Sequence, residues 1–176
     1  MSKILVVIGS ARPGRVADKV LGYIREDLDK REGVEVAVAD LDTLKLPFFN
    51  NENPPLSDKY VITDPQVQAW SELVQANDSV LFITPEYNHT LSAIQKNALD
   101  SLGSDWEAKP TTAVAYGWSG GSLAVITLKE VLSNLKAEVK ESIAQLGFMK
   151  DINPDGTIID DESVRSQIAA TIDQLV

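Results

Sequence analysis

Residues able to bind or react are concentrated in three short stretches: "GSARPGR" from Gly9, "PEYNHT" from Pro85 and "YGWSGG" from Tyr116. The first offers the Ser10 hydroxyl, the guanidinium forks of Arg12 and Arg15, and the N–H groups of a helix start. Together these make an anion site, because forked cations and unpaired helix N–H groups both favour negative oxygen. The same loop also reads as an ordinary strand-to-helix turn with surface arginines. It lacks the spacing G-x-x-x-x-G-K-[ST] of triphosphate loops and the G-x-G-x-x-G of dinucleotide folds. A monophosphate is the anion left. The second stretch brings Pro85, Glu86, Tyr87 and Asn88, a ring and amide groups suited to a flat heteroaromatic ligand. The third brings bare backbone at Gly117, Gly120 and Gly121 beside the ring of Trp118; glycine lets backbone approach a ligand closely. A phosphate at one end and a planar ring at the other describe a mononucleotide such as FMN.

Other chemistries are narrowed by composition. The 176 residues contain no cysteine and one histidine, so thiol catalysis, disulfides and multi-histidine metal sites are excluded. A formal net charge of −10 disfavours nucleic acid and anionic membranes as partners. No charged-then-apolar leader and no membrane-length apolar run are visible, so a cytoplasmic location is expected. The segment "DINPDGTIIDDE", Asp151 to Glu162, satisfies the calcium-loop pattern D-x-[DN]-x-[DN]-G-x5-E. A strand pattern precedes it where a calcium loop needs a helix. The preferred reading is an "NPDG" turn followed by acidic residues at a helix start, with no metal site.

The elements that must position these loops follow from hydrophobic periodicity. "KILVVI" from Lys3 is a short apolar run of the kind buried on both faces of a sheet. Ala17, Val20, Leu21, Ile24 and Leu28 recur at helical spacing. "VEVAVAD" is a second strand, and residues 41–64, rich in proline and asparagine, are a long loop. Pro65 opens a helix, "SVLFIT" is a third strand, and Leu91 to Leu102 is a helix. "TTAVAYG" is a fourth strand, Leu123 to Leu135 a helix, and "AEVKESIAQL" a fifth strand; a helix with Val164, Ile168, Ile172 and Leu175 on one face closes the chain. Alternating strands and helices predict a single α/β domain over residues 1–176, a doubly wound parallel sheet of flavodoxin-like order 2-1-3-4-5 with helices on both faces. Ligands of such sheets bind beyond the carboxyl ends of the strands, where the three loops converge.

With the loops placed, the chain resembles the NAD(P)H-dependent FMN reductase family, flavodoxin-like quinone and azo-compound reductases included. The resemblance is carried by "GSARPGR", "TPEYNHTLSAIQKNALD", the W-x-x-KP of Trp106 to Pro110, and "YGWSGG", over residues 3 to about 146. It implies that Ser10, Arg12, Arg15 and the backbone of Val16 hold the FMN phosphate. Pro85, Glu86, Tyr87 and Asn88 would line the isoalloxazine and ribityl chain, and Gly117, Ser119, Gly120 and Gly121 would close over the far side of the ring. It implies hydride transfer from NADPH or NADH to tightly bound FMN, then to a quinone, flavin, azo compound or similar small acceptor, in a homodimer or homotetramer. No side chain need act as acid or base, so no catalytic residue is assigned. The family commonly has proline and leucine where this chain has Ser92 and Gln95; Ser92 should alter a helix start, and Gln95 the dimer contact or substrate pocket. Two alternatives share the fold: a flavodoxin-type electron carrier that does not use NAD(P)H, and a flavin-free interaction module.

Overall fold

The computed structural model describes residues 1–176. Strands β1 (Ser2–Ile8), β2 (Val34–Asp40), β3 (Ser79–Pro85) and β4 (Pro110–Gly117) pair in parallel in the order β2-β1-β3-β4. Every side chain from Ile4 to Ile8 is at most 3% exposed, so both faces of β1 are covered. Alternation divides them: Ile4, Val6 and Ile8 face one core, Leu5 and Val7 the other. Helices α1 (Ala17–Leu28) and α6 (Asp161–Ile172) cover the first face through Ile24, Leu28, Ile168 and Ile172. On the other lie α3 (Pro65–Gln75), α4 (Ala93–Asp100) and α5 (Ser122–Asn134), with Trp70, Leu99 and Leu128 in that core.

The fifth strand departs from expectation. "AEVKESIAQL" is divided into β5 (Glu138–Val139) and β6 (Ala144–Gly147), both parallel to β4. Pro110 lies opposite Glu138, and Val114 to Gly117 lie opposite Ala144 to Gly147. Lys140 still donates its N–H to the Thr111 carbonyl at 2.8 Å, and residues 141–143 then leave the ladder, with Glu141 and Ser142 exposed. A charged Lys-Glu pair is poorly suited to a strand covered on both faces, so the edge bulges outward at that point. Thr112 keeps a hold on the bulge by donating its hydroxyl to the Ser142 carbonyl at 2.9 Å.

The long loop after β2 opens with one helical turn, α2 (Leu41–Leu44), and is otherwise irregular up to α3. It is tied to α4: the Asn97 side chain accepts from the Phe49 N–H and donates to the Pro47 carbonyl, each at 2.9 Å. Trp106 of the W-x-x-KP segment is fully buried against Trp70 and Phe82, with ring centroids 6.0 and 5.9 Å away, so that segment belongs to the core.

Candidate functional site

β1 sits between β2 and β3, so the connections of β1 run to opposite sides and a crevice opens at its carboxyl end. A cleft of about 190 Å³ lies there, lined by Arg12 and Val16 from the first loop, Tyr87 from the second, and Tyr116, Trp118 and Phe148.

The start of α1 differs from the other helix starts. Asp40, Asp64, Ser92 and Asp160 cap α2, α3, α4 and α6 with their own side chains. α5 begins after Gly121, which has no side chain, and borrows the Glu86 carboxylate, which accepts from the Leu123 N–H at 2.9 Å and the Ala124 N–H at 3.4 Å. α1 follows Val16, which supplies no cap, and receives no carboxylate from elsewhere. The N–H groups of Gly14, Arg15 and Val16 have no acceptor within the protein. Donors left open at a helix N-terminus carry the positive end of the helix dipole.

The two arginines of this loop are used differently. Arg15 is turned inward: its guanidinium reaches the Asp40 carboxylate at 2.8 and 2.5 Å, the Asp18 carboxylate at 2.9 Å and the Ser10 carbonyl at 2.6 Å. That fork braces the loop against the end of β2 and has little capacity left for a ligand. Arg12 forms no ion pair; its guanidinium stands 5.9 Å from the centre of the Tyr87 ring, at the cleft. Gly14, at φ +64° with open space around it, supplies the left-handed turn between them.

Ser10 is fully buried, and its hydroxyl lies 2.6 Å from the Tyr87 hydroxyl. Tyr87 begins a two-residue turn closed by reciprocal backbone bonds with Thr90, at 2.9 and 3.1 Å. Asn88 and His89, at φ 49° and 65°, occupy the centre of that turn, the type I′ pattern in which asparagine is favoured first. Both are exposed, and His89 is a surface loop residue. Pro85 is buried in β3 opposite Tyr116.

Tyr116 was not singled out from the sequence, where it reads as a strand residue. It closes the cleft floor, and its burial, with the nearby Tyr87, pushes its phenol well above the ordinary range; the Ala17 N–H and Ser10 partly oppose this. Phe148 was also missed, since it lies beyond β6, far from any loop motif. It packs edge-on to Trp118, ring centroids 5.6 Å apart, leaving the Trp118 ring 74% exposed at the cleft rim.

In the glycine loop, Gly120 and Gly121 have φ +68° and +76°. A Cβ on Gly121 would stand 2.9 Å from the Ala115 Cβ and the Tyr116 nitrogen, so packing on β4 already requires glycine there. Ser119 is exposed and donates to Glu86 at 3.2 Å. Ser92 caps α4 and also donates to the Gly9 carbonyl at 2.5 Å. Gln95 is fully buried, donating to the Thr84 hydroxyl at 2.9 Å directly beneath Gly9. It therefore supports the first loop from inside, away from both the protomer surface and the cleft lining.

The Asp151–Glu162 segment uses its acidic groups internally. Asp151 is buried and accepts from the Gly147 N–H at 2.8 Å, Asp155 accepts from the Thr157 N–H at 2.8 Å, and Asp160 caps α6 through the Ser163 N–H at 2.9 Å. These carboxylates point to separate backbone donors.

A parallel flavodoxin-like sheet with an open anion cradle at its topological switch point and an aromatic-lined cleft beside it defines a nucleotide-cofactor protein of the doubly wound α/β class. The sequence profile of the NADPH-dependent FMN reductase family matches residues 2–148, and the chain belongs to that family. It is therefore an oxidoreductase, with FMN as cofactor and NAD(P)H as co-substrate. A protein of Saccharomyces cerevisiae named NAD(P)H-dependent FMN reductase is 33% identical over 151 residues, covering 81% of this chain and 79% of that one. An FMN-dependent NADPH-azoreductase of Staphylococcus haemolyticus is 28% identical over 185 residues, covering 99% and 93%. The flavoenzyme NAD(P)H:(acceptor) oxidoreductase of Paracoccus denitrificans superposes with a TM-score of 0.74 over 99% of this chain and 97% of that one, at 23% identity, a likeness of fold. The reductase reading thus fits better than an electron carrier or a flavin-free module.

Proposed function

We propose that the cleft holds FMN with its phosphate in the Gly9–Val16 cradle, and that the enzyme delivers electrons to a small acceptor such as a quinone, a free flavin or an azo compound. The observation that carries this is the start of α1, which has no side-chain cap and where the N–H groups of Gly14, Arg15 and Val16 have no acceptor, beside the unpaired Arg12. Such donors fit a phosphomonoester, and the aromatic lining fits a flat ring.

FMN supplies the hydride-accepting and hydride-delivering chemistry when bound. The residues of the chain bind and orient. Ser10, Arg12 and the Val16 N–H contact the phosphate; Arg15 holds the loop in shape through Asp40 rather than meeting the phosphate itself. Pro85, Glu86, Tyr87 and Asn88 line one side of the ring and ribityl chain. Gly117, Ser119, Gly120 and Gly121 close the other side, their loop held by Glu86. No side chain is assigned to proton transfer, and no metal is required.

The active unit is a homodimer or homotetramer working in the cytoplasm, where nicotinamide co-substrates are available. Exposed Trp118 at the cleft rim and Phe48 and Ile126 on the surface support association, since large exposed apolar side chains are commonly covered. A surface carrying a net charge of −10 supports a small-molecule partner over nucleic acid or membrane.

The test is binding and turnover together. The purified chain should show the visible bands of bound flavin and oxidise NADPH or NADH when a quinone is added. Arg12→Ala should weaken FMN binding by about 1–3 kcal/mol while leaving riboflavin, which has no phosphate, unaffected. A chain that takes up no added FMN, or an Arg12→Ala variant with unchanged FMN affinity, overturns the reading.

A further inference from the structure

The geometry points to Tyr87 as a positioning residue for the phosphate end of the ligand: its phenol donates to the Ser10 hydroxyl and so turns the single Ser10 proton into the cradle. The inference rests on the FMN reading above, and it changes the part Tyr87 plays in it. From the sequence Tyr87 is a wall for the flat ring; in the structure its hydroxyl reaches into the other loop.

The two hydroxyl oxygens are 2.6 Å apart, and by themselves either can be the donor. A serine hydroxyl has one proton and two lone pairs. The Arg12 N–H also lies toward the Ser10 oxygen, at 3.4 Å, as a donor. A phosphate oxygen is an acceptor, so beside it the Ser10 proton must point at the phosphate. The bond to Tyr87 can then persist only with Tyr87 donating. The opposite arrangement would turn a serine lone pair toward the anion and leave the buried hydroxyl mismatched with its surroundings. With all donors running one way, from phenol to serine to phosphate, each bond polarises the next.

Tyr87 is held where this requires. Reciprocal bonds with Thr90 close its turn, and its ring faces the Arg12 guanidinium 5.9 Å away. Tyr87 is the one side chain hydrogen-bonded to the Ser10 hydroxyl. One side chain of the second loop thereby couples the ring side of the cleft to its phosphate side.

Flavin-free protein titrated separately with FMN and with riboflavin, by flavin fluorescence, tests this. Tyr87→Phe keeps the ring and removes only the hydroxyl. FMN should then bind about fivefold to tenfold more weakly, with riboflavin changed less than about twofold. The riboflavin arm also reports that the variant is folded. In the Ser10→Ala background, Tyr87→Phe should cause no further loss of FMN affinity, because the group it orients is gone. Equal effects on the two flavins, no effect on either, or losses that multiply in the double variant would overturn the assignment. If Arg12→Ala and Ser10→Ala also leave FMN binding unchanged, the phosphate reading of the cradle fails with it. If those two weaken FMN and Tyr87→Phe does not, the assignment to Tyr87 fails alone.

Discussion

Glu86 and Arg15 are charged residues beside the cleft, and both turn toward the protein. Glu86 supplies the cap that Gly121 cannot, with its carboxylate on two backbone N–H groups of α5. Glu86→Ala should therefore cost about 1–2 kcal/mol of stability, the range for losing a helix cap, read as a lower urea midpoint at unchanged slope. A midpoint within error of the parent would show that the carboxylate contributes nothing to α5. The inward turn of these two side chains leaves Arg12 as the cation of the cradle and clears the start of α1. Residue type alone could not separate Arg12 from Arg15, since both lie in the same loop and both suit phosphate. What distinguishes them is the set of partners that takes up Arg15, chiefly the Asp40 carboxylate at the end of β2, 25 residues along the chain, with Asp18 beside it.

At the scale of elements, the Arg15–Asp40 pair joins the loop after β1 to the point where β2 becomes α2. Asp40 also caps α2 by accepting from the Asp42 N–H at 3.0 Å. The Arg15 hydrogen bonds, helped by the Asp42 N–H, hold the Asp40 carboxyl below its ordinary value against the opposing effect of burial. The sign of the linkage follows. A carboxyl with a lowered folded pKa binds fewer protons folded than unfolded. Its contribution is complete above the ordinary aspartate range and is lost as pH falls through the lowered value. Asp40→Asn should flatten this acid limb of the stability curve and also loosen the first loop. The expected result in urea unfolding from pH 7 down to pH 3 is a smaller difference between variant and parent at the acid end. A constant difference across that range would show that the ion pair does not titrate with folding. The divided fifth strand belongs to this scale as well. Its alternation was visible, but the exposed Glu141 and Ser142 set where pairing with β4 is interrupted.

For the whole molecule, five strand positions across one twisted sheet place three loops from distant parts of the chain at one crevice. The cleft they enclose, about 190 Å³, is small beside the roughly 300–1,000 Å³ usual for pockets that bury a ligand of drug size. A single protomer thus leaves part of such a ligand uncovered on the side where Trp118 is exposed. Association of protomers would cover it, and sedimentation equilibrium of the flavin-loaded protein should give a dimer or tetramer. A monomer that retains tight FMN binding at nanomolar concentration would rule out that completion.

Much of this was open to reading from the sequence. Continuous apolar runs in β1 and β3, helical periods between them and turn residues at their ends are local signals, so the class of fold, the strand order and the three loops could be inferred before any contact was known. The side chains that cap α3, α4 and α6 are local too. What the sequence could not decide was the direction of each polar side chain at the cleft. The pairing of Arg15 with Asp40, of Glu86 with α5 and of Ser10 with Tyr87 joins residues 25 to 77 positions apart, through hydrogen bonds that exist only once the strands are in register. The sequence by itself determined the sheet and the loops that frame the site. The tertiary structure alone decided which donors remain open within it, because a polar group is available to a ligand only if no nearer group in the folded chain has already paired with it.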